Sequence, residues 1–201
     1  GLSALSLVHH LPSQDVTFFE KSWRPGGRIS TRNHGEYAFD HGAHYLKVDH
    51  GMIGLNEFLE KIDAIKILKG SFCRNISQNS PIEEKEIIIG KEGNQSIPLK
   101  FHEYLHFPTH FSTKITNIEN IKQDYYLIAG EKEFGPFDYV FCAMPFEQSK
   151  NLLEKFIDYS DIPNIEFDAI WTIMLAFNKR LGAPFQFGYH LTPEISFLMN
   201  Q

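Results

Sequence analysis

Two sets of residues have the types and spacings that chemistry requires. The first runs from Gly1, which opens a stretch with apolar residues at helical spacing, to Glu20 nineteen residues later. Glu20 directly follows Val16-Thr17-Phe18-Phe19, four β-branched and aromatic residues that read as a buried strand. In a dinucleotide-binding strand–helix–strand unit, the third glycine of the fingerprint starts the first helix and lets it pack close to a strand. An acidic residue about 20 positions on, at the end of the second strand, accepts hydrogen bonds from ribose hydroxyls. Taken alone, this pair also reads as a helix cap and a surface carboxylate. The second set is His102-Glu103-Tyr104-Leu105-His106, an H-E-x-x-H pattern on an expected helix. Two histidines four apart share a helical face and can chelate zinc, with the glutamate activating water. Against that reading, Pro108 follows the second histidine closely, and His110 lies four residues beyond it rather than six. The alternative is the polar face of a packing helix. His41 and His44 flank Gly42, a placement closer to a loop beside a cofactor or solvent than to a metal pair. No metal site is assigned. Cys142, inside an apolar run, reads as a small buried residue rather than a nucleophile.

The elements that would position these residues follow from periodicity and turn signals. Residues 2–11 carry a helical stripe closed by Pro12. Polar text from Ser22 to His34, broken at Pro25-Gly26-Gly27, reads as loop, and a second turn-rich stretch spans 39–45. Residues 52–69 begin helical and finish in a short apolar run at 64–68. Residues 70–86 read as surface loop or a weak hairpin, and 87–89 as a short strand. A helix is expected over 97–106, strands over 111–118 and 124–129, and the strongest strand over 139–143. A helix follows at 146–158, then a nearly continuous apolar strand at 169–177. The aromatics Trp171, Phe177, Phe185, Phe187 and Tyr189 fit a sheet core better than a stacking site, although some are suited to line a substrate cavity. No internal repeat or low-complexity tract is evident. Alternating helices and strands with a βαβ-like opening indicate an α/β protein.

Composition narrows the function further. Hydrophobic residues make up 42% of the 201 residues and charged residues 22%, which fits a folded globular chain. With 19 basic against 25 acidic residues, the net charge is −6, and no basic run marks a nucleic-acid binder. No apolar stretch approaches the length of about 20 residues needed to cross a bilayer. Two cysteines make no disulfide framework, so a reducing, cytoplasmic location is expected. The expected partner is a small-molecule substrate, with neither nucleic acid nor membrane.

Further residues in the opening segment carry a family resemblance. Glu20-Lys21-Ser22 leads into Arg24-Pro25-Gly26-Gly27-Arg28-Ile29-Ser30-Thr31-Arg32, and Phe39-Asp40-His41-Gly42-Ala43 follows. This order resembles the FAD-binding opening of the flavin amine oxidase superfamily, and within it the renalase-like branch. Gly93-Asn94-Gln95-Ser96-Ile97-Pro98 is similar to the turn entering that family's central helix, and residues 113–118 to the strand whose backbone meets the adenine. Residues 137–145 and 171–177 resemble a strand returning to the cofactor and a long strand of the substrate domain. The resemblance implies a Rossmann-like FAD-binding domain, incomplete here, interleaved with an α+β substrate domain. Residues 1–48 and 91–148 would form the cofactor domain, and 49–90 and 149–201 the substrate domain. The first strand with its leading Gly-x-Gly and the closing flavin segment are not in the sequence, which looks cut at both ends.

The resemblance also implies site roles. Cofactor-binding positions would be Gly1, Glu20, Lys21, Gly26, Gly27, Arg28, Asp40, His41, Gly42, Ala43 and Ile115. Glu20 would bind ribose, and Arg28 the pyrophosphate, to which a guanidinium offers a planar fork of donors. The glycine pair and Gly42-Ala43 would give the backbone close access to the cofactor. The implied reaction is hydride transfer from an amine or reduced nicotinamide to flavin, with reoxidation by oxygen. No acid–base residue is assigned. A zinc metallopeptidase using His102, Glu103 and His106, or a non-catalytic fragment of a flavoprotein, are the alternatives.

Overall fold

The computed structural model describes residues 1–11, 15–48, 53–78, 80–162, 165–179 and 181–200. The chain opens with helix α1 (Leu2–His9), the short strand β1 (Phe18–Phe19), and a hairpin of β2 (Thr31–His34) with β3 (Tyr37–Asp40). Strand β4 (Leu46–Lys47), helix α2 (Ile53–Lys61), the long strands β5 (Ile65–Cys73) and β6 (Ile82–Gly90), and helix α3 (Ser96–Leu105) follow. Then come β7 (Thr109–His110), β8 (Asn117–Ile121), β9 (Asp124–Ala129), β10 (Lys132–Phe137), helix α4 (Phe146–Leu153), β11 (Phe187–Tyr189) and β12 (Phe197–Met199). The fold is mixed α/β, as the sequence indicates. Its contacts divide into two compact units, one of Gly1–Gly27 with His102–Trp171, the other of Arg28–Phe101 with Thr172–Gln201.

In the first unit β1 pairs in parallel with β7, Phe18 opposite Thr109 and Phe19 opposite His110. The Phe19 ring stacks on His110 at 5.0 Å between centroids and meets Phe134 edge-on at 5.0 Å, which ties the parallel pair to the β8–β9–β10 meander. Helix α1 buries Leu5 and Val8, four residues apart less one, the spacing that presents one helical face. The β8–β9 turn is the two-residue kind, with Lys122 and Gln123 at φ 54° and 81°, whose twist matches that of antiparallel strands. Ile118 and Leu127, opposite each other on these strands, are buried.

In the second unit a five-stranded sheet has the order β12-β11-β5-β6-β4. Its centre is the β5–β6 hairpin, paired continuously from Ile65 opposite Gly90 to Cys73 opposite Ile82. Successive residues Ile87 and Ile88 are both buried, so the sheet is covered on both faces at that point. Phe72, Ile87 and Phe187 form one cluster with Tyr45, Leu68, Tyr189 and Phe197 against them. Tyr45 and Tyr189 share a hydrogen bond of 3.1 Å, and burial together with that bond pushes the Tyr189 phenol up to about 12.

Several sequence expectations are corrected. Of the two readings for 70–86, surface loop or weak hairpin, the hairpin holds but is longer than expected: residues 70–73 and 82–86 are the facing ends of two nine-residue strands. Its charge content hid it: Arg74 meets Glu83 at 2.8 Å and Lys85 meets Glu83 at 3.1 Å, so ion pairs line an exposed part of the hairpin. The loop over 22–34 contains β2, paired in register with β3, Thr31 opposite Asp40. Strand β1 covers only two of the four residues expected. The strand expected over 111–118 begins at Asn117, and the helix expected over 146–158 ends at Leu153. Neither 139–143 nor 169–177 forms a strand, and Tyr139, Ile170, Trp171 and Ile173 stand exposed by 79%, 80%, 95% and 81%. A strand exists only where a neighbour completes its ladder, and among the described residues no strand pairs with either segment. Of the expected core aromatics, Phe187 is buried while Trp171 and Phe177 are exposed.

Candidate functional site

Within the first unit four predicted residues, Gly1, Glu20, Gly26 and Gly27, converge. Gly1 is the N-cap of α1, without a side-chain cap and with no acidic residue in the helix's own first turn, so the charge that faces the amide end of the helix comes from outside it. The Glu20 carboxylate lies 3.8 Å from the Gly1 nitrogen through Oε2, while Oε1 accepts a hydrogen bond from the Ser22 amide at 2.9 Å. The Glu20 backbone is fixed on both sides, its amide donating to His110 O at 3.0 Å and its carbonyl accepting from Thr113 N at 3.0 Å. Gly26 and Gly27 adopt φ of 145° and 59°, a pair of conformations that side chains resist, and a Cβ at Gly27 would lie 3.4 Å from the Gly1 Cα. A helix amino terminus, a fixed carboxylate and a glycine pair thus occupy one neighbourhood.

The other predicted residues of this unit lie differently. Lys21 donates to Gln148 Oε1 of α4 at 2.9 Å. Ile115 is half-buried in the loop before β8, directly before Thr116, whose amide donates to Ile128 O at 2.8 Å.

In the second unit Arg28, Asp40, His41, Gly42 and Ala43 belong to two backbone segments laced together. The Ala43 amide donates to Arg28 O at 2.9 Å and the His41 amide to Ser30 O at 3.2 Å, while Ser30 Oγ and His41 Nε2 are hydrogen-bonded at 3.0 Å. A Cβ on Gly42 would stand 2.1 Å from the Arg28 carbonyl oxygen, so the glycine is required by the chain's own backbone. The Asp40 carboxylate is occupied internally, accepting from the Thr31 hydroxyl and from the Asn94 amide at 2.9 Å. Asn94, Gln95 and Thr31 are functional candidates that the residue types did not single out. The available signal was the polar pair Asn94-Gln95 at the entry to a helix, which reads as ordinary capping.

The H-E-x-x-H segment does not form a shared ligand face. Helix α3 ends at Leu105, and His106 follows it at φ 55° with its Nδ1 bonded to Tyr104 O at 2.8 Å. His102 Nε2 bonds the Thr109 hydroxyl at 2.7 Å, and its ring packs on Phe111 and Phe18. Among the described residues no group of three or more His, Cys, Asp or Glu side chains is gathered as a ligand set. Cys142 is half-buried outside any strand, and burial pushes its thiol up, away from nucleophilic reactivity.

Burial lowers three histidines, His9, His44 and His102, and gives the fold a defined response to acid. Burial holds His44 below its ordinary value; Asp40 opposes that shift and His41 adds to it. Burial likewise lowers His102, against the opposing charge of Glu103. A histidine lowered in the folded state binds fewer protons there than in the unfolded chain once the pH falls to about 6.5 or below. Stability is therefore full above that range and is lost on acidification. The thermal midpoint is expected to fall between pH 7.5 and 5.5, and His44→Gln, which removes the ring tilted against Phe197 at 4.5 Å between centroids, to flatten that slope. An unchanged slope in the variant would remove His44 from this account.

The parallel β1–β7 pair, the helix opening at Gly1 and the carboxylate closing β1 lie together in the amino-terminal part of the α/β fold. The family model of the NAD(P)-binding Rossmann-like domain matches residues 1–61, from α1 to the end of α2. A dinucleotide-binding Rossmann-like segment of this kind supports an oxidoreductase at the coarse level. Among the described residues no helix is long and apolar enough to cross a membrane.

Proposed function

We propose that the protein is an FAD-dependent oxidoreductase of the flavin amine oxidase superfamily, renalase-like branch, acting as an oxidase on an amine or a reduced nicotinamide. The observation that carries this reading is the convergence of Gly1, Glu20 and Gly27 in the first unit. The residues present suit the cofactor: an α1 amino terminus without an acidic neighbour in its first turn favours a phosphate, and a fixed carboxylate suits ribose hydroxyls. In this reading Glu20 binds ribose and Gly1, Gly26 and Gly27 admit the pyrophosphate. Arg28, next in the chain, neutralises its charge, and Ile115 contributes backbone to the adenine end. Gly42 and Ala43, held on the Arg28 carbonyl, give backbone access to the flavin. Bound FAD supplies the two-electron redox chemistry; the chain supplies position and charge. The functional division remains the one the resemblance implies, with cofactor segments at 1–48 and 91–148 and substrate segments at 49–90 and 149–201. The cell compartment that fits is the cytoplasm, and the partner a small molecule.

The full-length protein is expected to purify yellow and to release FAD on denaturation. Adding FAD to an apo sample restores the spectrum. A colourless protein that takes up NAD(P) but no flavin, or one that carries stoichiometric zinc, overturns the proposal.

A further inference from the structure

Among the described residues, the second unit buries four polar side chains, Thr31, Asn94, Gln95 and Ser96, of which Asn94 is the most enclosed at 2% exposure. Every polar atom of the Asn94 side chain is used. Its Nδ2 donates to the carbonyls of Ala43 and His44 at 2.9 and 2.7 Å, and its Oδ1 accepts from the Gly90 amide at 2.9 Å. Its own amide donates to Asp40 Oδ1. Thr31 completes the block: its hydroxyl donates to the same Asp40 oxygen and accepts from the Gln95 amide at 3.0 Å, while its amide donates to Gln95 Oε1 at 3.3 Å.

The consequence is that three segments, 28–31, 40–44 and 90–95, are held as one polar body inside the unit. Buried polar groups tolerate little drift, because each bond lost there leaves a desolvated donor or acceptor without a replacement from water. The two carbonyls that Asn94 holds belong to Ala43 and its successor, and the Ala43 amide in turn holds the Arg28 carbonyl. Asn94 therefore sits one hydrogen bond from Ala43 and two from Arg28.

We infer that Asn94, with Asp40 and Thr31, is a positioning residue for the cofactor. It fixes the Gly42-Ala43 turn and the Arg28 segment through their backbone, rather than by contact with the ligand. Asp40 accordingly acts inside the chain, where the family resemblance implies a cofactor-binding position. The inference rests on the reading of Arg28, Gly42 and Ala43 as FAD-binding positions.

The test is FAD titration of the full-length protein at low temperature, recording dissociation constant and stoichiometry separately. Asn94→Leu, of similar size but without the amide, is expected to raise the dissociation constant roughly tenfold or more at full stoichiometry. Thr31→Val, which keeps shape and deletes the hydroxyl links, gives the same kind of change and stands in if Asn94→Leu does not fold. Ile97→Ala, on α3 and fully buried, is the control for stability alone: it lowers the thermal midpoint and leaves the dissociation constant in place. A falling stoichiometry at unchanged dissociation constant in Asn94→Leu and Thr31→Val makes the block merely structural and overturns the inference, leaving the FAD reading intact. Absence of FAD binding by the unmodified protein overturns that reading, and the inference with it.

Discussion

Gly42→Ala is expected to destabilise the fold by about 3 kcal/mol or more, the upper end of what overpacking costs. The added methyl would lie 2.1 Å from the Arg28 carbonyl oxygen, 3.0 Å from its carbonyl carbon and 3.2 Å from the Ser30 amide nitrogen. All three are backbone atoms, so no side-chain rotation relieves the overlap. Relief requires the 28–31 and 40–44 segments to part, and parting breaks the bonds from Ala43 to Arg28 and from His41 to Ser30. Gly54→Ala supplies the contrast. Gly54 lies in α2 with no atom within 4 Å of an added Cβ, and alanine there is expected to change stability by at most about 1 kcal/mol, in the favourable direction. Urea denaturation of the two variants decides the matter; a Gly42→Ala midpoint equal to that of the unmodified protein would refute the close approach.

The second large effect concerns the ligand. Arg28→Ala is expected to raise the FAD dissociation constant roughly ten- to a hundredfold, the worth of a charge-assisted contact of about 1.5–3 kcal/mol. Arg28 is exposed and directly follows the Gly26-Gly27 pair, the place where a guanidinium serves a pyrophosphate. His102→Ala is the comparison. His102 is engaged with Thr109 and packs on Phe111, so its loss is expected to lower stability by about 1 kcal/mol and to leave flavin affinity nearly unchanged. Equal retention by the two variants, or a larger loss with His102→Ala, would end the assignment of Arg28 to the pyrophosphate.

Sequence alone determined the features that depend on a few consecutive residues. The helical stripe after Gly1, the Glu20 that closes an apolar pair, the strand at 124–129 and the helix near 97–106 all appear, within a residue or two of where periodicity places them, apart from the shortened β1. The glycine pair at 26–27 was legible for the same reason: its dihedral demand is local. Tertiary structure decided what depends on partners far along the chain. The nine-residue β5–β6 hairpin prevails over a polar composition because each strand completes the other's ladder. Residues 139–143 and 169–177, more apolar than either, remain outside any strand among the described residues, since β-structure is a property of pairs and not of segments. The polar block is the clearest instance. Asn94 meets Ala43 and His44 across 51 and 50 residues, and Thr31 meets Gln95 across 64. No local pattern distinguishes such an asparagine from an ordinary helix cap, because its significance lies in two distant carbonyls that its own buried amide reaches.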